Sequence, residues 1–145
     1  MRRFPIRERS ATVTVERPAQ VPQLHADRDR LLQVLINLLS NAAKFAPRGN
    51  GRVLVRLRCD ERAATVEVRD NGPGVPAEQQ QLVFEKFRQG GSATNRPQGT
   101  GLGLPISRRI VEHYGGRIWL ESSAGEGACF AFELPWQHDE KETPT

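Results

Sequence analysis

The stretch DRDRLLQVLINLLSNAAKF, residues 27–45, carries most of the information about the fold. Its apolar residues occupy most of the circumference of a helix, Asp27 stands at the N-cap position, and Pro47 and Gly49 follow the last turn. This pattern predicts a helix from about Asp27 to Phe45 that is buried almost all round.

A polar stripe interrupts this apolar helix. Its members fall at steps of three and four residues and therefore share one face: Gln33, Asn37, Ser40, Asn41 and Lys44. Three amides and a lysine on a buried helix are costly unless a polar group lies opposite. In a purely structural interpretation, these side chains cap neighbouring backbone groups or face water. In a functional interpretation, they line a ligand cavity. In a cavity, asparagine oxygens suit Mg²⁺ and a lysine suits phosphate.

The rest of the chain predicts five strands and two shorter helices. Alternating apolar residues indicate strands over residues 11–15, 52–58, 64–69, 117–121 and 128–134. Helices are expected over about residues 77–83 and 103–114, the second ended by Gly115-Gly116. The sequence therefore predicts an α/β two-layer sandwich, with helices on one face of a mixed, mostly antiparallel sheet.

Composition sets the boundaries and excludes several classes of protein. A single domain over residues 11–136 is expected, between a flexible N-terminal segment (1–10) and a flexible tail (137–145). No apolar run approaches the roughly 18 residues of a membrane span. We therefore expect a cytoplasmic, monomeric domain without membrane contact of its own.

The net charge is +4, but the sequence contains no nucleic-acid-binding motif, so we expect no nucleic-acid partner. The two cysteines, Cys59 and Cys129, are predicted to be core residues and not zinc ligands.

Two glycine-bearing loops stand out. Asp70-Asn71-Gly72-Pro73-Gly74 follows a predicted strand, where Asp70 either bonds its own turn or accepts hydrogens from an amino group such as that of adenine. Gly99-Thr100-Gly101-Leu102-Gly103-Leu104 precedes a predicted helix, and its successive amides form either an anion site or a flexible hinge. It is neither a Walker loop nor a convincing dinucleotide fingerprint. Residues 88–98 lack apolar periodicity and are predicted to form a mobile loop.

In this order, the motifs resemble those of the sensor histidine kinase catalytic domain in the gyrase–Hsp90–histidine kinase–mismatch-repair ATPase superfamily. Residues 35–45 match the N box, Asp70–Gly74 the first glycine box, Phe84–Phe87 the F box and Gly99–Leu104 the second glycine box. The resemblance covers about residues 27–135 and implies a Bergerat-type ATP-binding fold.

The resemblance also implies roles for single residues. Asn41 resembles the asparagine that binds Mg²⁺, Lys44 a phosphate-contacting residue, and Asp70 the carboxylate that recognises the adenine amino group, while Gly72 and Gly74 shape the base pocket. With residues 88–98 as the ATP lid, the other implied nucleotide-contacting positions are Phe45, Arg88, Gly99, Thr100, Gly101, Leu102 and Gly103.

The implied reaction is γ-phosphoryl transfer from ATP to a histidine on a separate dimerisation domain, with a response regulator downstream. Asn37, assigned as catalytic with Asn41 and Lys44, stands where the hydrolysing branches carry a water-activating glutamate. Because an asparagine has no usable basicity, rapid ATP hydrolysis is not expected. The histidines of this chain, His25, His113 and His138, do not resemble the family's acceptor histidine.

One position departs from the family pattern. Gln89 stands where many of these kinases carry an arginine aimed at the γ-phosphate, so either Arg88 substitutes or Lys44, Mg²⁺ and the partner domain supply the charge.

Two alternative functions stay open at this point. One is a superfamily ATPase or anti-sigma-type serine kinase, and the other is a non-catalytic nucleotide-sensing module.

Overall fold

A six-stranded mixed sheet forms one layer of the molecule. The computed structural model describes residues 2–6, 11–80, 82–84, 103–122 and 125–136. The strands are β1 (Arg2–Ile6), β2 (Ala11–Glu16), β3 (Arg52–Cys59), β4 (Ala63–Asp70), β5 (Arg117–Ser122) and β6 (Ala128–Pro135). They lie in the order β1-β2-β3-β4-β6-β5. Strands β2 and β3 pair in parallel and every other neighbouring pair is antiparallel.

Helices form the second layer, on one face of the sheet. They are α1 (Arg28–Phe45), α2 (Ala77–Gln80) and α3 (Gly103–His113). The core between the layers contains Val34 and Leu38 of α1 together with Val53, Val68 and Phe130 of the sheet, all buried. The predicted two-layer α/β sandwich is thereby confirmed.

Helix α1 begins and ends where its sequence predicts. Asp27 is the N-cap, and its Oδ1 accepts hydrogen bonds from the backbone N–H groups of Asp29 (2.8 Å) and Arg30 (3.3 Å). These bonds satisfy two of the N–H groups that the first turn of a helix leaves without partners. At the other end, the N–H of Ala46 donates to the carbonyl of Ala42 (3.0 Å).

The expected burial of α1 on nearly all sides is wrong. Leu32 is 42% exposed and Ile36 is 56% exposed. These residues share an exposed row with Arg28 and Ser40, at intervals of four residues along the helix. The sheet covers one side of α1 and α3 covers another, and no described element covers this row.

The N-terminal residues also differ from the prediction. The sequence predicts a flexible segment over residues 1–10, whereas residues 2–6 form β1, antiparallel to β2 at the edge of the sheet. Pro5 lacks a backbone N–H, and edge strands tolerate this because one side of the strand needs no ladder partner. The strand forms by pairing with the edge of β2, and the sequence of residues 2–6 alone does not predict that partner.

The remaining predicted elements are found with small shifts. Helix α2 is one turn, and a second turn follows in which the Leu82 N–H donates to the Gln79 carbonyl (3.0 Å). At the end of α3, Gly115 has a φ of 81° and donates to Glu112, while the Gly116 N–H donates to the Val111 carbonyl (3.0 Å). This is the Schellman pattern expected of a glycine-terminated helix.

The two cysteines are free, Cys129 fully buried and Cys59 half-buried. Within the described residues, none of the helices has the length and apolar character needed to cross a membrane.

Candidate nucleotide-binding site

Asp70 ends β4 and is the most deeply buried acidic residue described, with 3% of its surface exposed. Its Oδ1 accepts a hydrogen bond from the Gly72 backbone N–H (2.8 Å), whereas its Oδ2 is buried and has no hydrogen-bond partner among the described residues. Burial raises the pKa of this carboxyl, and the backbone N–H groups of Gly72 and Ala128 oppose that rise. One carboxylate oxygen therefore closes the turn, as one of the two sequence interpretations predicts, and the interpretation that Asp70 accepts from an amino group stays a prediction.

The first glycine box packs directly against the end of α1. A Cβ on Gly72 would collide with the backbone carbonyl of Phe45, so only glycine allows this close approach. Gly74 has a φ of 83°, in the left-handed region that favours glycine. These two predicted site glycines thus bring the Asp70 loop against the last turn of the N box helix.

Asn71 holds the same loop to the segment that follows α1. Its Oδ1 accepts from the Arg52 backbone N–H (2.7 Å), and its Nδ2 donates to the Asn50 carbonyl (3.0 Å). No role in the site was predicted for this residue. Its position in an Asp-Asn-Gly turn is a signal of local backbone bonding, but the partner segment lies about twenty residues away.

The turn between β5 and β6 supports the loop from its other side. The Ser122 hydroxyl accepts from the Val75 N–H (2.8 Å) and donates to the Gly127 carbonyl (2.8 Å), and the Gly125 N–H donates to the Pro73 carbonyl (2.8 Å). Sequence reasoning missed these contacts. The only sequence signal was the pair of glycines, which predicts a turn but does not predict its contacts.

The same turn approaches Asp70 itself. Gly127 has a φ of 80°, and a Cβ there would collide with the Asp70 backbone carbonyl. Gln80 of α2 completes the support, because its Nε2 donates to the carbonyls of Val75 (2.9 Å) and Ser122 (3.2 Å). The backbone around the buried carboxylate is therefore held by three separate elements.

On α1, the polar stripe faces in several directions. The Nδ2 of Asn41 is buried and has no hydrogen-bond partner, while Lys44 is half-buried. Asn37, also half-buried, uses its Nδ2 to donate to the Gly103 carbonyl (3.1 Å) and to the Ser107 hydroxyl (3.1 Å) of α3. Ser40 is exposed.

The structure describes the two ends of the region between α2 and α3. Phe84 packs edge-on against Phe130, with ring centroids 5.9 Å apart, so the start of the F box is anchored to the sheet. Gly103 begins α3. The remaining site positions lie outside the described residues: Arg88, Gln89, Gly99, Thr100, Gly101 and Leu102, with the rest of the F box, the predicted lid over 88–98, and His138.

The arrangement combines two buried polar groups that lack protein partners with a half-buried cation. The Asp70 Oδ2 can accept a hydrogen from an amino group, and the Asn41 amide can contact a polar ligand on the same side of α1 as Lys44. Buried polar groups are normally paired. Within the described part of the chain, these two atoms are therefore the candidate contacts for a polar ligand.

Known proteins share both the sequence and the fold. The profile of the family described as "Histidine kinase-, DNA gyrase B-, and HSP90-like ATPase" matches residues 26–138. The chain belongs to this family. Among its relatives, the adaptive-response sensory kinase SasA of Parasynechococcus marenigrum (strain WH8102) is 42% identical over 130 residues, and SasA of Prochlorococcus marinus (strain MIT 9313) is 37% identical over 136 residues. These alignments cover 89% and 93% of the chain.

Solved structures of histidine kinases give the same result. The mycobacterial sensor histidine kinase MprB matches with a TM-score of 0.74 and 34% identity, over 87% of this chain and 85% of that one. Full-length ShkA in complex with AMPPNP matches with a TM-score of 0.77 and 32% identity, over 90% of this chain and 27% of that one. The relatives place the chain in the sensor histidine kinase branch of the family. The chain spans about a third of the length of the SasA relatives, 34% and 37% in the two cases.

Proposed function

We propose that this domain binds MgATP and transfers the γ-phosphoryl group to a histidine on a separate dimerisation domain of its parent kinase. The observation that carries the proposal is the unpartnered Oδ2 of Asp70, buried at the end of β4. A buried carboxylate oxygen without a donor is costly. A ligand that brings an amino group removes that cost.

Adenine fits this requirement, because its exocyclic amino group donates where a carboxylate oxygen accepts. The close approach of Gly72 to α1 and the positive φ of Gly74 shape the backbone beside the carboxylate without side chains. A base can therefore lie close to the main chain here. These features support Asp70, Gly72 and Gly74 as the base-binding residues.

The phosphate side of the proposed site is formed by α1. The Asn41 amide reaches a ligand either by donating from its buried Nδ2 or, after rotation of the amide, by coordinating with Oδ1. Oxygen ligands of this kind suit Mg²⁺, and Lys44 stands three residues further along the same stripe. When bound, Mg²⁺ supplies charge neutralisation to the phosphate oxygens.

Two observations support transfer to a partner instead of hydrolysis. Asn37 supplies no general base, and its amide hydrogens are engaged by α3. His25 and His113 are both exposed, and neither lies at the described part of the site, since His113 is at the far end of α3 from Gly103. The acceptor therefore comes from the dimerisation domain, with a response regulator downstream, and we place the reaction in the cytoplasm, where ATP is available.

A transfer assay tests the proposal. The domain is incubated with γ-labelled ATP, Mg²⁺ and the separately purified histidine-bearing domain of the parent. Label that is labile in acid and stable in alkali should appear on that domain, as the bond to ADP breaks and a phosphorus–nitrogen bond to imidazole forms. No such label should appear when the acceptor histidine is replaced by glutamine, and Asp70→Asn should give much less label at ATP concentrations that do not saturate it. Acid-stable label on serine, release of free phosphate alone, or ATP binding without transfer would each overturn the proposal.

A further inference from the structure

Asn37 makes a bridge between the two helices of the site. Its Nδ2 carries two hydrogens and both are used, one toward the Gly103 carbonyl and one toward the Ser107 hydroxyl, each at 3.1 Å. In an α-helix the carbonyl of one residue accepts from the N–H four residues later, so Gly103 and Ser107 bound the same first turn of α3. A single amide group therefore holds that turn at both of its ends.

The bridge is buried on its α3 side. Ser107 is fully buried, one of two polar residues among the buried ones described. A buried hydroxyl needs a partner, and the Asn37 amide supplies one. Aspartate or glutamate at position 37 has no N–H to donate and would bring a negative charge to the Gly103 carbonyl oxygen.

The position of this turn matters for the site proposed above. The N-terminal end of a helix presents unpaired N–H groups and a positive dipole end, which favour phosphate. Asn41 lies one turn after Asn37 on the same face of α1. The bridge thus sets how far Asn41 on α1 lies from the start of α3.

We propose that Asn37 is a positioning residue for triphosphate binding, which holds the first turn of α3 in register with Asn41 through Gly103 and Ser107. The inference rests on the proposed ATP site. It gives Asn37 a positive role in binding, in addition to its inability to act as a general base. It acts through α3 and does not contact the nucleotide.

A double-mutant cycle tests this role. Affinities for ATP and for adenosine are measured for the wild-type domain, Asn37→Ala, Ser107→Ala and the double variant, each checked for a cooperative unfolding transition. The loss of one hydrogen bond predicts a fall in ATP affinity of roughly 3- to 10-fold for Ser107→Ala, and the loss of two predicts about 10- to 100-fold for Asn37→Ala. The double variant should bind ATP no more weakly than Asn37→Ala, while adenosine affinity should stay within about twofold of wild type throughout.

Ile36→Ala is the matched control, since this neighbour on α1 is 56% exposed and faces away from α3, and it should change neither affinity. Additive losses in the double variant would show that Asn37 acts independently of Ser107 and would overturn the proposal. Equal losses for ATP and adenosine would show a general structural role and would overturn it as well. If wild type itself fails to bind ATP, the proposed function fails instead, so the two failures are distinguishable.

Discussion

At the scale of single residues, Asp70 places binding and stability in opposition. Its carboxyl is buried, one oxygen has no partner, and burial raises its pKa. A charge held in this way costs free energy in the folded, nucleotide-free domain. The stability of the fold therefore does not explain this residue, whereas the ligand proposed above does.

The substitution Asp70→Asn should leave the nucleotide-free domain at least as stable as wild type at neutral pH. The folded pKa lies above the ordinary value of 3.8, so the folded state binds more protons between the two values. Wild type therefore loses stability as pH rises from 3.8 through the raised value, and the variant lacks this component. Denaturant unfolding of both proteins between about pH 4 and about pH 7 measures the difference.

Asp60→Asn provides a control of opposite sign. The Asp60 carboxyl is exposed, and hydrogen bonds from the backbone of Arg62 and Ala63 lower its pKa, so its contribution is lost as pH falls. Relative to Asp60→Asn, wild type should gain stability as pH rises from the lowered pKa to 3.8, so this control is measured below about pH 4. Relative to Asp70→Asn, wild type should lose stability as pH rises above 3.8. A wild-type advantage over Asp70→Asn that grows with pH would contradict the burial argument.

At the scale of elements, the turn between β5 and β6 holds the base-binding loop by contacts that only the folded chain creates. Gly125 and Gly127 have almost the same backbone conformation, with φ values of 81° and 80°. Their surroundings differ. A Cβ on Gly125 meets nothing within 4 Å, whereas a Cβ on Gly127 collides with the Asp70 carbonyl.

This pair separates backbone strain from contact with the site. Gly125→Ala and Gly127→Ala should both lower the free energy of unfolding by about 1–2 kcal/mol, because alanine is strained at positive φ. Only Gly127→Ala should also displace the end of β4 and weaken ATP binding, by about 10-fold or more. Unfolding curves and ATP titrations of the two variants give the comparison. An ATP affinity of Gly127→Ala equal to that of wild type would show that the contact between Gly127 and Asp70 does not support the site.

The elements also show how far sequence alone reaches. The limits of α1 were predictable because Asp27, Pro47 and the polar stripe are local signals. The exposure of Leu32 and Ile36 was not, since it depends on which sides of the helix other elements cover. Strand β1 was missed because its pairing partner, the edge of β2, lies outside its own sequence.

Some residues of the candidate site were likewise predictable from sequence, and others were not. Asp70, Gly72 and Asn41 were predicted from motifs, and the structure explains each by burial or close packing. Ser122 lies 47 residues from Val75, and Asn37 lies 70 residues from Ser107, so no local pattern could pair them. The motifs predict the groups of the proposed nucleotide site, whereas the residues that support these groups can be identified only in the fold.

At the scale of the whole molecule, the fold brings distant segments together. The end of α1 and the turn before β6 both pack against the Asp70 loop, and the first turn of α3 packs against α1 through Asn37. The family match and the histidine kinase structures assign this arrangement to an ATP-binding domain. The central claim about the proposed site is that Asp70 selects the adenine base.

Calorimetric titration of the wild-type domain and of Asp70→Asn with MgATP and MgGTP tests that claim most directly. Guanine carries a carbonyl oxygen where adenine carries its amino group, so it faces the Asp70 carboxylate with an acceptor. Wild type should bind one ATP per chain and prefer it to GTP by about 10-fold or more, and Asp70→Asn should lower ATP affinity by roughly 10- to 100-fold. Equal binding of ATP and GTP by wild type, or unchanged ATP affinity in Asp70→Asn, would contradict it.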